Sequence, residues 1–459
     1  MKPSPHIFRA YDVRGVYGKD LDEEVAYRIG RAFGKIAGGK IIVGRDVRLS
    51  GKQLSTALIE GLNDSGADVL DAGVCTTPAC YFGARHFNAS GGVMVTASHN
   101  PKEWNGFKMF LGDGETVSEG AGMEEIRDMV INEKYGPVAR KGSTSQVNLL
   151  EVYGNYLSKR FPRMPRLRMA VDLSDGSAAL VAPQVLRRLE IDFKVLNDIP
   201  DGFFRGHDPE PTDKNIEPLR RLVVEQGFDM GVAFDGDADR AVFVDDRGRL
   251  LNGDVAMAVL LKTYNTRGVI VYDVNSSTAL KEVAERLGFT PVEWKVGRAF
   301  LHRKVRELGA VLGGEKSNHL YFGELGGDDD ALYAALKMAE LLHTTRQPLS
   351  RHVDEIPSYP TTPILVYDCP DSIKFKVVEK IGKRLGQMGF RISSLDGVKA
   401  YVDEGWVLIR ASNTMPQIKM SVEAKTVESL EKLKSLGERL ILEEVAAKPE
   451  ACTGFRSWL

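Results

Sequence analysis

Four times along this chain a short apolar run stops at or just ahead of an aspartate: Ile41–Val43 before Asp46, Arg168–Val171 before Asp172, Gly231–Phe234 before Asp235 and Val269–Tyr272 before Asp273. Runs of this length, bounded by polar residues, read as buried strands. Between them lie stretches with apolar residues at helical spacing: Val25, Ile29, Phe33 and Ile36; then Leu54, Leu58 and Leu62; then Leu219, Leu222 and Val223. Strands alternating with helices build layered α/β units, whose ligand-binding residues gather in loops at the carboxyl ends of the strands. Identity between the four units is too low to establish duplication.

At 459 residues the chain exceeds what one core organises, so three or four domains with a cleft between them are expected. Residues 1–150, 151–252 and 253–356 each read as an α/β unit. The stretch Pro357–Pro363 holds three prolines and reads as a linker and suspected hinge. Residues 364–459 read as a smaller α+β domain: a helix over Ser372–Met388, three apolar strands and a long helix over Val427–Val445. Ser50 is expected to cap the second helix of the first domain.

Net charge is −2 with 27% charged residues, which favours neither nucleic acid nor an anionic membrane as partner, so any anion site must be built locally. Cys75, Cys80, Cys369 and Cys452 are scattered without a paired Cys-x-x-Cys spacing, which fits a reducing compartment. Met1–Gly15 lacks an apolar signal-peptide core, and no apolar run approaches the ~18 residues of a membrane span. A cytoplasmic protein is expected. The sequence carries no signal for an oligomeric state.

Four polar loops carry the chemistry. In Gly91–Lys108, GGVMVTASHNPKEWNGFK, an apolar strand gives way to Ser98, His99 and Asn100. Ser98 is expected as an exposed loop hydroxyl, with Pro101 preventing a helix and Asn105-Gly106 forming a turn that brings Lys108 back to serve a phosphate. Read alone, this segment also describes a capped turn. Asp235-Gly236-Asp237-Ala238-Asp239-Arg240 offers carboxylates at alternate positions, as a hard cation needs. An EF-hand would want glycine at loop position six and glutamate at twelve, where Arg240 and Asp246 stand. An aspartyl-phosphate phosphatase would want a small residue where the third aspartate stands. Gly313–His319, GGEKSNH, supplies acceptors, a hydroxyl and an imidazole suited to sugar hydroxyls, or a satisfied turn. Arg410–Pro416, RASNTMP, supplies a guanidinium, two hydroxyls and an amide suited to phosphate.

TASHNP followed by NGFK, together with FRAYDVRG at Phe8–Gly15 and the three other loops, resembles the motif set of the α-D-phosphohexomutases. Within that superfamily the resemblance is nearest to the phosphoglucomutase/phosphomannomutase enzymes and runs from Phe8 to about Glu423. It implies an α/β fold: three similar layered α/β domains with mixed sheets, followed by a smaller α+β domain, around a central cleft. It implies that Ser98 carries a phosphoryl group and that Asp235, Asp237 and Asp239 hold Mg²⁺ together with a phosphate oxygen on Ser98. Lys108, Arg14 and His319 are then candidates for proton transfer and charge stabilisation. Tyr11, Arg240, Lys295, Arg298, Glu315, Ser317, His319, Arg410, Ser412, Asn413 and Thr414 become candidates for substrate contact. The implied substrates are hexose 1-phosphate and hexose 6-phosphate, with a hexose 1,6-bisphosphate as intermediate and activator, and glucose and mannose ahead of glucosamine.

Four positions depart from the family pattern. Asn318 replaces a usual glycine, so the backbone there need not be as open. Arg298 stands where many relatives have histidine and, if it lies near the sugar ring, disfavours a protonated amino sugar. Asn275 replaces a frequent lysine, and Met415 replaces a usual glutamate. The alternatives are a phosphoglucosamine mutase and a non-catalytic phosphosugar sensor; Ser98 retained with all three aspartates argues against the sensor.

Overall fold

The computed structural model describes residues 3–412 and 415–446, and its strands form four sheets. In the first, the order is Val13–Val16, Trp104–Leu111, Gly91–Val95, Lys40–Arg45, Asp68–Val74 and Thr144–Gln146. Gly91–Val95 pairs in parallel with Lys40–Arg45 and antiparallel with Trp104–Leu111, which buries all five of its residues. An apolar run without alternation is what a strand covered on both faces requires.

The second sheet runs Leu250–Leu251, Ala241–Asp245, Met230–Phe234, Arg168–Asp172, Asp192–Leu196, and the third Thr290–Trp294, Val269–Asp273, Leu312–Gly314, Leu320–Phe322. Both are mixed, as the first is. The fourth, Leu365–Asp368, Gln417–Ala424, Gly405–Ala411, Val398–Val402, Arg391–Ser393, is antiparallel throughout and packs against the helices Lys374–Gln387 and Val427–Ala446. Three mixed α/β sheets and a smaller α+β domain are the expected fold class. The last sheet holds five strands, not three, because its two edge strands are short and only half apolar.

Local chemistry explains most boundaries. Asp22 caps Glu23–Ala37 by accepting from the Val25 amide at 2.9 Å, and Val25, Ile29 and Phe33 are fully buried on one face. Ser50 precedes Gly51–Asp64 but makes no side-chain cap; its hydroxyl accepts from Asn105 Nδ2 at 2.9 Å instead. Asn105-Gly106 is not a turn either. Both residues lie inside Trp104–Leu111, opposite Gly15 and Arg14, and a Cβ on Gly106 would sit 2.0 Å from the Val13 carbonyl oxygen. Glycine is needed there for a strand to approach. Gly106→Ala is therefore expected to cost about 3 kcal/mol, read as a lower denaturant midpoint. An unchanged midpoint would show that the two strands can separate at no cost.

One continuous apolar core runs through the first three domains, joining Ile42, Met94, Leu149, Phe234, Ile270 and Tyr333. The fourth domain has its own, around Val377, Ile381, Val407, Ile409, Met420 and Leu440. It meets the third through a small cluster of Val274, Trp406 and Leu408. Pro357–Pro363 is irregular apart from a single bridge at Thr361. It is fastened at both ends, by the Tyr359 hydroxyl to Glu282 at 2.8 Å and by the Thr362 amide to the Val422 carbonyl at 3.0 Å.

Candidate active site

The serine loop is held by groups that sequence reading did not single out. Arg48 is buried and spreads its guanidinium over the carbonyls of Ser98 (2.8 Å), Asn100 (2.6 Å), Pro101 (2.7 Å) and Trp104 (3.0 Å), while its Nε pairs with Asp46 at 3.0 Å. Asp46 also accepts from the Thr96 hydroxyl at 2.6 Å, and Thr96 in turn accepts from the Ser98 amide at 2.8 Å. Such a clamp is needed because Ser98 adopts φ 51, a left-handed conformation that costs a non-glycine residue about 1–2 kcal/mol. Ser98 is not exposed as expected: it is 2% accessible, and its hydroxyl donates to Asp235 Oδ2 at 2.7 Å.

Met230–Phe234 delivers the three aspartates into the same place. Asp235, Asp237 and Asp239 are all buried, and one oxygen from each lies within 4.8 Å of the others. Asp235 Oδ1 accepts from the Asp239 and Arg240 amides, both at 3.1 Å, and Asp237 Oδ2 accepts from Thr77 Oγ1 at 2.6 Å. Lys108 donates to Asp237 at 2.7 Å and to Asp239. Burial pushes the Asp235 carboxyl well above the usual range, and the charges of Asp239 and Asp237 push the same way. For Asp239 burial raises the pKa too, but the charges of Lys108, His319 and Arg240 together outweigh it and the group settles at about 2.

One lysine is a poor match for three carboxylates. Asp237 Oδ1 and Asp239 Oδ1 are shut off from solvent with no hydrogen-bond partner among the described residues. Buried anionic oxygens in that state are costly, and a hard divalent cation is what satisfies three such carboxylates at once. The donor set fits the ion. A second group, Asp239, His319 and Asp329, has similar spacing. There, however, His319 Nε2 accepts from Arg240 Nε at 2.9 Å, which leaves the proton on Nδ1, 2.8 Å from Asp329. No imidazole lone pair remains for an ion.

Arg14 reaches the same loop, donating to Asn100 Oδ1 at 2.8 Å and to the Ala97 carbonyl. Tyr11 packs its ring edge-on against Phe300, so the first and third domains meet there. His99 lies 3.3 Å from the Ser98 hydroxyl, and the charge of Arg240, then burial, holds its imidazole well below the usual range. The structure thus gathers Ser98, Lys108, Asp235, Asp237, Asp239, Arg14, Arg240 and His319 around one point.

Of the remaining candidates, Arg298 adjoins the cluster through Asp329, the partner of His319, and no side-chain hydrogen bond among the described residues joins the others to it. Glu315 is buried and accepts from the Gly297 amide at 2.8 Å and the Tyr321 hydroxyl at 2.9 Å, while Ser317 and Lys295 are exposed. Asn318 takes φ 70, so the backbone is as open as a glycine would make it, in a conformation asparagine tolerates. Arg298 is paired with Asp329 through Nε at 3.0 Å and through a terminal nitrogen at 2.7 Å, and its guanidinium lies 4.6 Å from the Tyr81 ring centre. Its charge is compensated, so the argument that it repels an amino sugar loses its basis. Arg410 and Ser412 lie at the end of Gly405–Ala411, and no hydrogen bond among the described residues joins them to the Ser98 cluster. Asn413 and Thr414 lie outside the described residues.

Another group that sequence reading missed binds the domains together. Asp328 meets Arg85 of the first domain and His302 of the third, Asp329 meets Arg298 and His319, and Asp330 accepts from the Tyr153 hydroxyl at 2.7 Å. The signal was three consecutive aspartates wedged between Gly326-Gly327 and an apolar helix, where solvated carboxylates would not be expected.

Comparison with known proteins gives a consistent result. Family profiles match in chain order: phosphoglucomutase/phosphomannomutase alpha/beta/alpha domain I at 5–136, domain II at 151–248, domain III at 252–359 and the C-terminal domain at 368–436. A phosphomannomutase/phosphoglucomutase of Pseudomonas aeruginosa is 36% identical over 440 residues, covering 94% of each chain. A probable phosphoglucosamine mutase of Methanopyrus kandleri is also 36% identical, over 439 residues, covering 93% of this chain and 96% of its own. The crystal structure of a phosphoglucomutase/phosphomannomutase family protein from Burkholderia thailandensis superposes with a TM-score of 0.89 at 31% identity, covering 98% of this chain and 99% of its own.

Proposed function

The chain belongs to the phosphoglucomutase/phosphomannomutase family, and from that premise we propose that it moves a phosphoryl group reversibly between the 1 and 6 positions of glucose and mannose phosphates. The observation that carries this reading is the Ser98 hydroxyl, buried and strained, bonded to Asp235 inside a carboxylate cluster with two unsatisfied oxygens. A phosphosugar sensor would need neither the strain nor the cluster.

In the proposed cycle Ser98 rests as a phosphoserine. Arg410 and its loop hold the phosphate that the substrate already has, which presents the free hydroxyl at the other end to Ser98. That hydroxyl oxygen bonds to phosphorus and gives up its proton, the bond from phosphorus to Ser98 Oγ breaks, the serine oxygen takes up a proton, and a hexose 1,6-bisphosphate results. The intermediate turns end for end, its other phosphate returns to Ser98, and the isomer leaves. Mg²⁺, held by Asp235, Asp237 and Asp239 with an oxygen of the phosphoserine, would supply charge neutralisation for the transfer.

The protein's own groups do the rest. Arg48 keeps Ser98 in its strained position, Lys108 and Arg240 bring positive charge to the phosphoryl group, and burial of Ser98 keeps water from intercepting it. His319 must exchange its contact with Arg240 before Nε2 can take a proton. The fourth domain's separate core supports the Pro357–Pro363 linker as the hinge of closure. A cytoplasmic location fits Cys75, Cys80 and Cys369, all buried as free thiols, and no described helix is long and apolar enough to cross a membrane.

A site that binds its intermediate in two orientations cannot hold every hydroxyl in a unique pocket, so tolerance at the carbon that distinguishes glucose from mannose is expected. Competition among glucose, mannose and glucosamine 1-phosphates, compared as kcat/KM, tests the substrate. The first two are expected within about tenfold of each other, with glucosamine lower. The Methanopyrus kandleri relative and the compensated charge on Arg298 favour a second reading, phosphoglucosamine mutase. A preference for glucosamine 1-phosphate would select it.

A further inference from the structure

The distal-phosphate loop and the third domain are joined through one carboxylate. Asp396 lies in the turn between Arg391–Ser393 and Val398–Val402, with its side chain 19% exposed. Its Oδ2 is 3.0 Å from a terminal nitrogen of Arg410 and accepts from the Val296 amide of the third domain at 2.9 Å. The next amide, Gly297, donates to Glu315 at the start of the sugar loop at 2.8 Å. A short path therefore runs from Arg410 through Asp396 and Val296 to Glu315.

The turn is shaped for this contact. Gly397 adopts φ 75, and a Cβ there would lie 2.5 Å from the Ile409 carbonyl oxygen and 2.8 Å from Arg410 Cγ. Among the described residues Asp396 is the only ion-pair partner of Arg410, whose Nε is buried without a partner. One terminal nitrogen is thus held by the carboxylate, and Nε has no partner among the described residues.

A free arginine gives up much rotamer freedom when it clamps a phosphate, and a guanidinium already held in place gives up less. A carboxylate beside a phosphate cradle also lowers the local positive charge. Sharing the same oxygen with the Val296 amide offsets that disadvantage, because it anchors the cradle to the domain that recognises the sugar.

We infer that Asp396 is a positioning residue that acts through Arg410, pre-setting the distal-phosphate cradle and registering it against the sugar loop of the third domain. The inference rests on the reading that Arg410 holds the substrate's existing phosphate.

A double-mutant cycle of Asp396→Asn and Arg410→Ala tests it. Asn keeps the shape and an acceptor for the Val296 amide but removes the charge. Two readouts use glucose 1-phosphate: its Kd by calorimetry with Ser98→Ala added to stop turnover, and kcat/KM with Ser98 intact. Asp396→Asn alone is expected to weaken both about tenfold, with kcat falling less than KM rises, and to change either by less than about twofold when Arg410 is already alanine. An equal loss in both backgrounds, or tighter binding by Asp396→Asn, would overturn the inference. If Asp396→Asn does not fold, Asp396→Ser takes its place in the cycle. Absence of turnover in the unmutated protein would count against the mutase reading, and the coupling in Kd would still decide the role of Asp396.

Discussion

Ser98→Ala is expected to abolish turnover, by at least about four orders of magnitude, while the folded state loses only about 1–2 kcal/mol. The two halves have different causes. In the proposed cycle Oγ is the atom that carries the phosphoryl group between the two ends of the sugar, and among the described residues no other side-chain hydroxyl bonds to Asp235. The stability loss comes from one hydrogen bond to Asp235; the left-handed backbone remains, since alanine at φ 51 is strained much as serine is. Steady-state turnover and a denaturation curve on the same preparation separate these effects. Residual turnover near the unmutated rate would exclude Ser98 as the carrier.

Asp237→Asn is expected to lower activity at saturating substrate by about two to three orders of magnitude and to shift its Mg²⁺ dependence to higher concentration. Asp237 would contribute one of three anionic ligands in the proposed metal site and is the partner of Lys108 and Thr77, so the substitution removes charge from the centre of the cluster while keeping its shape. Calorimetric titration with Mg²⁺ gives a readout independent of turnover, and binding is expected to weaken at least tenfold. Full activity in excess chelator, or unchanged Mg²⁺ affinity in Asp237→Asn, would remove the ion from this cluster. Comparing melting curves excludes a general loss of structure.

The polar loops were legible because each carries its chemistry in consecutive residues at the end of an apolar strand. Asp235, Asp237 and Asp239 stood out as one group of carboxylates from alternation alone, and the structure brings an oxygen of each within 4.8 Å of the others; Ser98 stood out from its place after Val93–Val95. What escaped was set by contacts distant in sequence. Arg48 lies fifty residues before the loop it clamps, and Asp328 and Asp330 find partners in other domains, Arg85 of the first and Tyr153 of the second. Asn105-Gly106 misled for a related reason: the pair that makes a tight turn is also what a strand needs where a neighbouring backbone must come close, and sequence alone does not reveal the neighbour. Asn318 shows the converse, since a departure from glycine kept the backbone conformation through asparagine's tolerance of positive φ.

In the proposed cycle the phosphoryl group passes through Ser98 and never to water. Single-turnover rapid quench with the radiolabelled phosphoserine protein, Mg²⁺ and unlabelled glucose 1-phosphate tests it directly. Label is expected to leave Ser98 at the rate at which it appears in hexose bisphosphate, and then in glucose 6-phosphate, with no inorganic phosphate formed in that time. Label released as inorganic phosphate, or glucose 6-phosphate formed while Ser98 keeps its label, would contradict it.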